Sequence, residues 1–212
     1  MDRIRERFPD SGLARVAAEL LAFAEENRAV LDYLSRPHWV IRIGVGVMLA
    51  GMAAVLIAIV VSLRLQAGVS GFSEFIQVSE AALSAFVFLG ALVLFLVTLE
   101  SRLKRSRALT ALHELRSLAH VVDMHQLTKD PERLASEMKS TASSPERDLT
   151  APELGRYLDY CSELLSLISK VAALHVQRFN DPHTLAAVND LESLTSGLSG
   201  KIWQKITLLE RT

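Results

Sequence analysis

Two stretches of the chain are continuously apolar, and most of the remainder alternates apolar and polar positions with a helical period. Residues 43–63 and 81–99 carry no charged side chain. Residues 1–37, 101–130 and 151–212 repeat apolar residues every three or four positions, which is the spacing of a helix with one buried face. This pattern predicts an all-α membrane protein that combines a two-helix transmembrane hairpin with a cytoplasmic helical bundle or coiled coil.

The two uncharged runs are long enough to cross a bilayer. Residues 43–63 form about 30 Å of helix at 1.5 Å per residue, which matches the hydrocarbon core. The second run is just long enough, with Glu80 and Glu100 at its two ends. We predict transmembrane helices at 38–64 and 80–100 and a short outer loop at 65–79. Two adjacent uncharged runs argue against the rival interpretation, the core helix of a soluble protein.

Basic residues beside the two runs predict the orientation, because Lys and Arg near a span stay on the cytoplasmic side. The stretch that connects the two uncharged runs has Arg64 as its only basic residue. Basic residues cluster instead before the first span, at Arg28, Arg36 and Arg42, and after the second, at Arg102, Lys104, Arg105 and Arg107. We therefore expect both termini on the cytoplasmic face of an inner membrane, with the second basic cluster close to the lipid headgroups.

The first predicted span also carries a small residue at every fourth position. Small side chains at this spacing form a strip along which another helix approaches closely, which is the packing that membranes favour. The candidate partners are the second span, where Ser84, Ala91 and Thr98 share one face, and a second copy of the chain. We name this set the small-residue strip; it consists of Gly46, Ala50, Ala54, Ala58 and Ser62.

The N-terminal segment predicts an amphipathic cytoplasmic helix over residues 1–37. Its apolar positions alternate four and three residues apart, as in a coiled-coil seam, and Asn27 is the polar member of that seam. A polar residue at such a position more often sets register or partner number than performs chemistry.

The C-terminal half predicts further cytoplasmic helices. No proline occurs between the second span and Pro131, so the helix is expected to continue over 101–130. A short helix and a flexible loop follow at 131–150. A capping-box pattern at residues 150–153 then begins an antiparallel helical hairpin over 151–212. These helices are expected to close a bundle either within one chain or between chains.

One stripe of the 101–130 helix is rich in polar side chains. His113, Arg116, His120 and Asp123 share a face, and we interpret them as a polar contact with another helix or as a solvated surface. His113 and His120 lie about 10 Å apart along the axis and cannot share one ion. His120 and Asp123 are the one local pair able to do so, and they would need a ligand such as His175 or His183 from elsewhere. We predict no metal site and no cofactor.

Composition and motifs exclude several classes of function. The net charge is −1 and Lys and Arg do not interleave with aromatic residues, so nucleic acid is not an expected partner. The single cysteine, Cys161, cannot form an internal disulfide and lies on an apolar stripe. The polar first 37 residues predict no cleavable signal peptide. The sequence has no phosphate-binding loop, zinc-protease motif or nucleophile elbow, and we expect no catalysis.

The arrangement predicts a two-pass bacterial-type inner-membrane protein with a cytoplasmic interaction or scaffolding module. The expected partners are the bilayer and either a second copy or another helical protein. One alternative is an oligomeric channel or pore-forming effector; another is a metal- or pH-responsive sensor that uses the histidines of 101–130. The architecture is similar to that of small two-span effector proteins of bacterial defence systems, and no residue role is carried over from that resemblance.

Overall fold

The computed structural model describes residues 1–37, 39–65, 72–129, 131 and 149–210, and every regular element in this part of the chain is a helix. The predicted all-α class is therefore confirmed for the described residues. The helices are α1 (Asp2–Arg7), α2 (Gly12–Ser35), α3 (Trp39–Leu65), α4 (Phe72–Leu127), α5 (Ala151–Arg178) and α6 (Pro182–Leu209).

The chain divides into two compact units. Residues 36–104 form a hairpin unit, and residues 1–35 together with 105–212 form a bundle unit. Helix α4 runs without a break from Phe72 to Leu127 and so contributes residues to both units.

Several element bounds differ from the sequence prediction. The 1–37 segment contains two helices, because the chain turns between Phe8 and Ser11; the Ser11 hydroxyl accepts a hydrogen bond from the Ala14 N–H at 3.1 Å and begins α2. Helix α4 begins at Phe72, well inside the predicted outer loop of 65–79. Most of the short helix and loop predicted at 131–150 lies outside the described residues.

The hairpin unit consists of two strongly apolar helices. Helices α3 and α4 are each long and apolar enough to cross a membrane, and the apolar stretch of neither is buried inside the protein. Partly buried residues lie along one side of each helix, which indicates the faces on which the hairpin packs. On α3 this side consists of Ile41, Gly44, Val45, Met48 and Met52.

The small-residue strip lies on a different side of α3. Gly46, Ala50, Ala54 and Ala58 are all exposed, and the side chain of Ser62 lies outside the described part. A methyl group added at Gly46 would meet no atom within 4 Å. On α4, Ser84, Ala91 and Thr98 are exposed too. The described residues of the strip therefore lie on a side of α3 other than its partly buried side.

The bundle unit is built from α2, the C-terminal part of α4, α5 and α6, with the short helix α1 packed on α2. Apolar side chains at three-and-four spacing from all four long helices meet in one core. Its fully buried members include Leu13, Leu20, Leu115, Leu158, Leu164, Leu191 and Ile202.

Side-chain contacts define how the four helices run. Arg105 of α4 pairs with Asp181 at the start of α6, and the Gln126 carbonyl near the end of α4 accepts from Lys205 near the end of α6 at 2.7 Å, so these helices are parallel. The Arg107 guanidinium stacks on the Tyr33 ring at 3.8 Å, so the end of α2 meets the beginning of this part of α4 and the two are antiparallel. Phe8 packs edge-on against Tyr157, near the start of α5.

Sequence-local signals explain where α5 and α6 begin. The Glu153 carboxylate accepts from the Thr150 N–H at 2.8 Å, as the capping pattern predicts. Asp181 accepts from the N–H groups of His183 and Thr184, both at 3.1 Å, and Pro182 follows it at the first helical position. Both starts confirm the predictions made from these residues.

Asp181 also forms the shortest of the ion pairs described in the bundle. The Arg105 guanidinium donates to both carboxylate oxygens, with the shortest contact at 2.6 Å. Burial alone would raise the pKa of Asp181, but the hydrogen bonds from Arg105, Thr184 and His183 together hold the pKa below its ordinary value. The pair therefore stabilises the fold at neutral pH, and this stabilisation is lost as the pH falls and the carboxylate takes up a proton.

We expect Asp181→Ala to lower the free energy of unfolding by about 2–3 kcal/mol, because it removes a helix cap and a charge-assisted hydrogen bond together. Thermal unfolding of the full chain in detergent, followed by circular dichroism, measures this. The matched control is Asp190→Ala, whose carboxylate is exposed and lies 3.8 Å from Arg116; it should cost less than about 1 kcal/mol. Equal losses in the two variants would contradict the assignment.

Candidate functional site in the helical bundle

The predicted polar stripe of α4 makes little contact with other helices. His113 and His120 are exposed. Asp123 accepts a 2.7 Å hydrogen bond from Gln126 on its own helix. Arg116 reaches α6, where it lies 3.8 Å from Asp190, and both side chains are substantially exposed. The described contact between this stripe and another helix is thus one solvent-exposed ion pair, an interaction that typically contributes little stability.

His125, near the end of α4, has a close neighbour in another helix. Its ring lies against Gly12, the first residue of α2, where an added methyl group would clash with Cε1 of the imidazole. Burial lowers the pKa of His125, Arg15 lowers it further, and Glu19 opposes the shift. A larger residue at position 12 would therefore have to displace the His125 ring.

The histidines and carboxylates do not converge on a metal-binding arrangement in the described part of the chain. No group of three or more His, Cys, Asp or Glu side chains there could hold an ion. The two histidines named as possible further metal ligands beside His120 and Asp123 lie in different environments. His175 is buried in the core, whereas His183 is exposed at the start of α6.

A hydrogen bond between Asn27 of α2 and His175 of α5 is the polar contact at the centre of the bundle. Nδ2 of Asn27 lies 3.1 Å from Nε2 of His175. Asn27 is 3% exposed and His175 is fully buried. The sequence placed Asn27 in the apolar seam of its own helix, but it did not pair it with His175.

The geometry assigns the protonation state of His175. Its Nδ1 lies 3.2 Å from the Val171 carbonyl oxygen, which can only accept, so Nδ1 carries the proton. Nε2 then accepts from the Asn27 amide. Burial lowers the pKa of His175 below its ordinary value, and the hydrogen bonds with the backbone of Val171 and Ala172 oppose this only in part. The core therefore holds a neutral imidazole, while Oδ1 of Asn27 has no hydrogen-bond partner.

The basic cluster predicted for the headgroup region is largely engaged in intramolecular contacts. In the hairpin unit, Lys104 pairs with Glu100 at 2.9 Å and donates to the Arg36 carbonyl at 2.8 Å. In the bundle unit, Arg105 binds Asp181 and Arg107 stacks on a tyrosine ring. Arg102 is exposed. Three of the four residues thus have a structural contact within their own unit.

Comparisons with known proteins add no family to these observations. No protein-family model, curated protein or solved structure matches this chain.

The lone cysteine lies in the same core as His175. Cys161 is fully buried, and burial raises the pKa of its thiol to about 12. The thiolate is the reactive form of cysteine, so this side chain is a small hydrophobic group at neutral pH rather than a nucleophile.

Because His175 is buried and neutral, we expect acid to destabilise the bundle. The unfolded chain protonates His175 near pH 6.5 whereas the folded chain does so only at lower pH, so the unfolded state binds more protons as the pH falls below about 6.5. Stability should decrease there by up to about 1.4 kcal/mol per pH unit. His125 adds a loss of the same sign.

Thermal unfolding between pH 8 and 5 separates the contribution of His175 from the others. It is measured for the wild type, for His175→Gln and for the exposed control His120→Gln. We expect the control to follow the wild type and His175→Gln to show a shallower acid dependence. Where His175→Gln fails to fold, an NMR titration of the wild-type imidazole replaces it. Protonation of folded His175 at an ordinary pKa would contradict the prediction.

Proposed function

We propose that this chain is a two-pass inner-membrane protein that self-associates through the small-residue strip and presents its helical bundle to the cytoplasm as an interaction or scaffolding module. The observation that carries the proposal is the exposure of Gly46, Ala50, Ala54 and Ala58 on a strongly apolar helix. The proposal includes no catalysis and no cofactor.

The exposed strip supports self-association for a packing reason. In a bilayer, helices associate by close van der Waals contact, and small residues allow two backbones to approach. Residues such as Leu and Ile already cover much of the remaining exposed surface of α3. The small side chains of the strip make little contact with lipid, but they allow a second helix to approach closely. In a homodimer the second helix is an identical copy of α3, which carries the same strip.

The outer surface of the bundle supports a role in recognition. Leu167 and Leu174 lie seven residues apart on α5, each 39% exposed, and so share one side of that helix. Trp203 of α6 is 62% exposed. Tryptophan and spaced leucines are typical anchors where one helix packs on another protein, so a helical partner or a second copy fits this surface better than nucleic acid does.

If the chain self-associates through the strip, larger side chains in the strip should lower the mass of the solubilised complex. The double variant Ala50→Leu/Ala54→Leu should convert the detergent-solubilised oligomer to a monomer, measured by light scattering with correction for bound detergent. Leu56→Phe is the matched control, because it also enlarges an exposed residue of α3 but lies off the strip. The control should keep the wild-type mass.

Two results would overturn this proposal. A monomeric wild type would exclude self-association, and an oligomer unaffected by the double variant would exclude the strip. Ion flux through reconstituted liposomes, together with a continuous conduit in the oligomer, would instead favour the alternative of a channel or pore-forming effector.

The proposed topology predicts which positions are reached from each side of the membrane. With Cys161→Ala as background, a cysteine at Ser70, between the two apolar helices, should react with a membrane-impermeant maleimide in intact spheroplasts. A cysteine at Glu163, exposed on α5, should react only after the membrane is opened. Labelling of both positions in intact spheroplasts, or of the second alone, would exclude two cytoplasmic termini.

A further inference from the structure

Two histidines from different helices contact α2 at two separate points. His125 of α4 lies against Gly12, the first residue of α2. Nε2 of His175, on α5, lies 3.1 Å from Nδ2 of Asn27, about four turns further along α2. The bundle unit therefore holds α2 through one imidazole at its beginning and through another in its C-terminal half.

The contact between Asn27 and His175 requires a neutral imidazole. Nδ1 of His175 donates to the Val171 carbonyl oxygen, so Nε2 accepts from the Asn27 amide. A proton added at Nε2 would place two donors against each other. If the amide turned to present Oδ1 instead, its NH2 group would take the place of an oxygen that has no hydrogen-bond partner. Either arrangement leaves a buried donor unpaired beside a buried positive charge.

No neighbouring carboxylate compensates a charge on His175. In the described part of the chain, no ion pair involves this residue. Burial lowers its pKa, and only backbone hydrogen bonds oppose that shift. The charged and titratable groups on the helices around it are exposed, apart from one ion pair whose members neutralise each other. They are Glu26 on α2, Arg107 and Glu114 on α4, Arg178 on α5, His183 on α6, and the pair of Arg105 and Asp181.

The surroundings of His125 also disfavour a positive charge. Burial lowers the pKa of His125, Arg15 of α2 and Lys129 after α4 lower it further, and Glu19 of α2 opposes them. The ring lies at the N-terminal end of α2, where the helix dipole is positive. Protonation of either histidine therefore weakens a contact with α2.

The other three long helices are joined by contacts that involve neither histidine. An ion pair and a lysine–carbonyl hydrogen bond connect α4 to α6, and α5 packs along α6 as a helical hairpin. Helix α2 is held by its apolar seam on α5, by Asn27, and by the stacking of Tyr33 on Arg107. Among the described helices, α2 is thus the one whose contacts depend on both imidazoles.

We propose that α2 is an acid-released element of the bundle: protonation of His175 and His125 frees α2 from α5, while α4, α5 and α6 stay folded together. The imidazolium of His175 gains water only when α2 moves away, and the charge on His125 is then separated from the end of the helix dipole. Release uncovers the apolar face of α5 that continues from Leu154 to His175. The inference is independent of self-association and of membrane crossing.

Hydrogen–deuterium exchange of the full chain in detergent between pH 8 and 5, corrected for the intrinsic exchange rate, tests this proposal. Peptides from α2 report its release, and peptides from the second half of α6 report the remaining bundle. As the pH falls below about 6.5, the opening constant of α2 should rise by up to about tenfold per pH unit for each histidine. At pH 5 the α6 peptides should still be protected when the α2 peptides have exchanged.

Two variants identify the trigger. His125→Gln/His175→Gln removes both titrations and keeps a hydrogen-bonding side chain opposite Asn27, so the protection of α2 should no longer fall with pH. His120→Gln is the matched control, because it removes an exposed imidazole of α4, and it should keep the acid dependence of the wild type.

Three results would overturn the proposal. Equal loss of protection in α2 and α6 at pH 5 would mean that the bundle unfolds as a whole, and full protection of α2 at pH 5 would mean that it is not released. An unchanged acid dependence in the double variant would show that other groups are the trigger. Where the double variant does not fold, the comparison of α2 with α6 in the wild type decides.

Discussion

Burial of the apolar face of α5 is the interaction on which the rest of the bundle depends. This helix packs against both α2 and α6, and its buried face continues from Leu154 to His175. Because that face is continuous, a polar group on it must find a partner inside the core or carry the full cost of desolvation. His175 forms hydrogen bonds with Asn27 and with a backbone carbonyl oxygen. Cys161 avoids the cost of a buried charge because its thiol stays neutral.

The charged residues of the bundle divide into those that join two helices and those that are exposed without a described ion pair. The ion pair between Arg105 and Asp181 joins the part of α4 that lies in the bundle unit to the start of α6. Arg107 stacks on Tyr33 and so holds the end of α2 against α4. Glu26 and Glu114 have no such role in the described contacts.

Sequence patterns predicted the local structure well where the signal lies within one helix. Thr150 with Glu153, and Asp181 with Pro182, begin helices because capping depends on residues only two or three positions apart. The surroundings of the polar stripe of α4 depend on more than one helix. Spacing shows that His113 and His120 share a face, but the exposure of that face depends on which helices pack beside α4.

The sequence by itself determined the helical class, the two apolar helices, the positions of several helix starts and the apolar seams, since each follows from periodicity or a local cap. Only the tertiary structure decided that Asn27 meets His175 across 148 positions of chain, that Gly12 receives the His125 ring, and that the strip lies on a side of α3 other than its partly buried side. The physical reason is that side-chain spacing defines a face on one helix, whereas the neighbour of that face is selected by packing of the whole core.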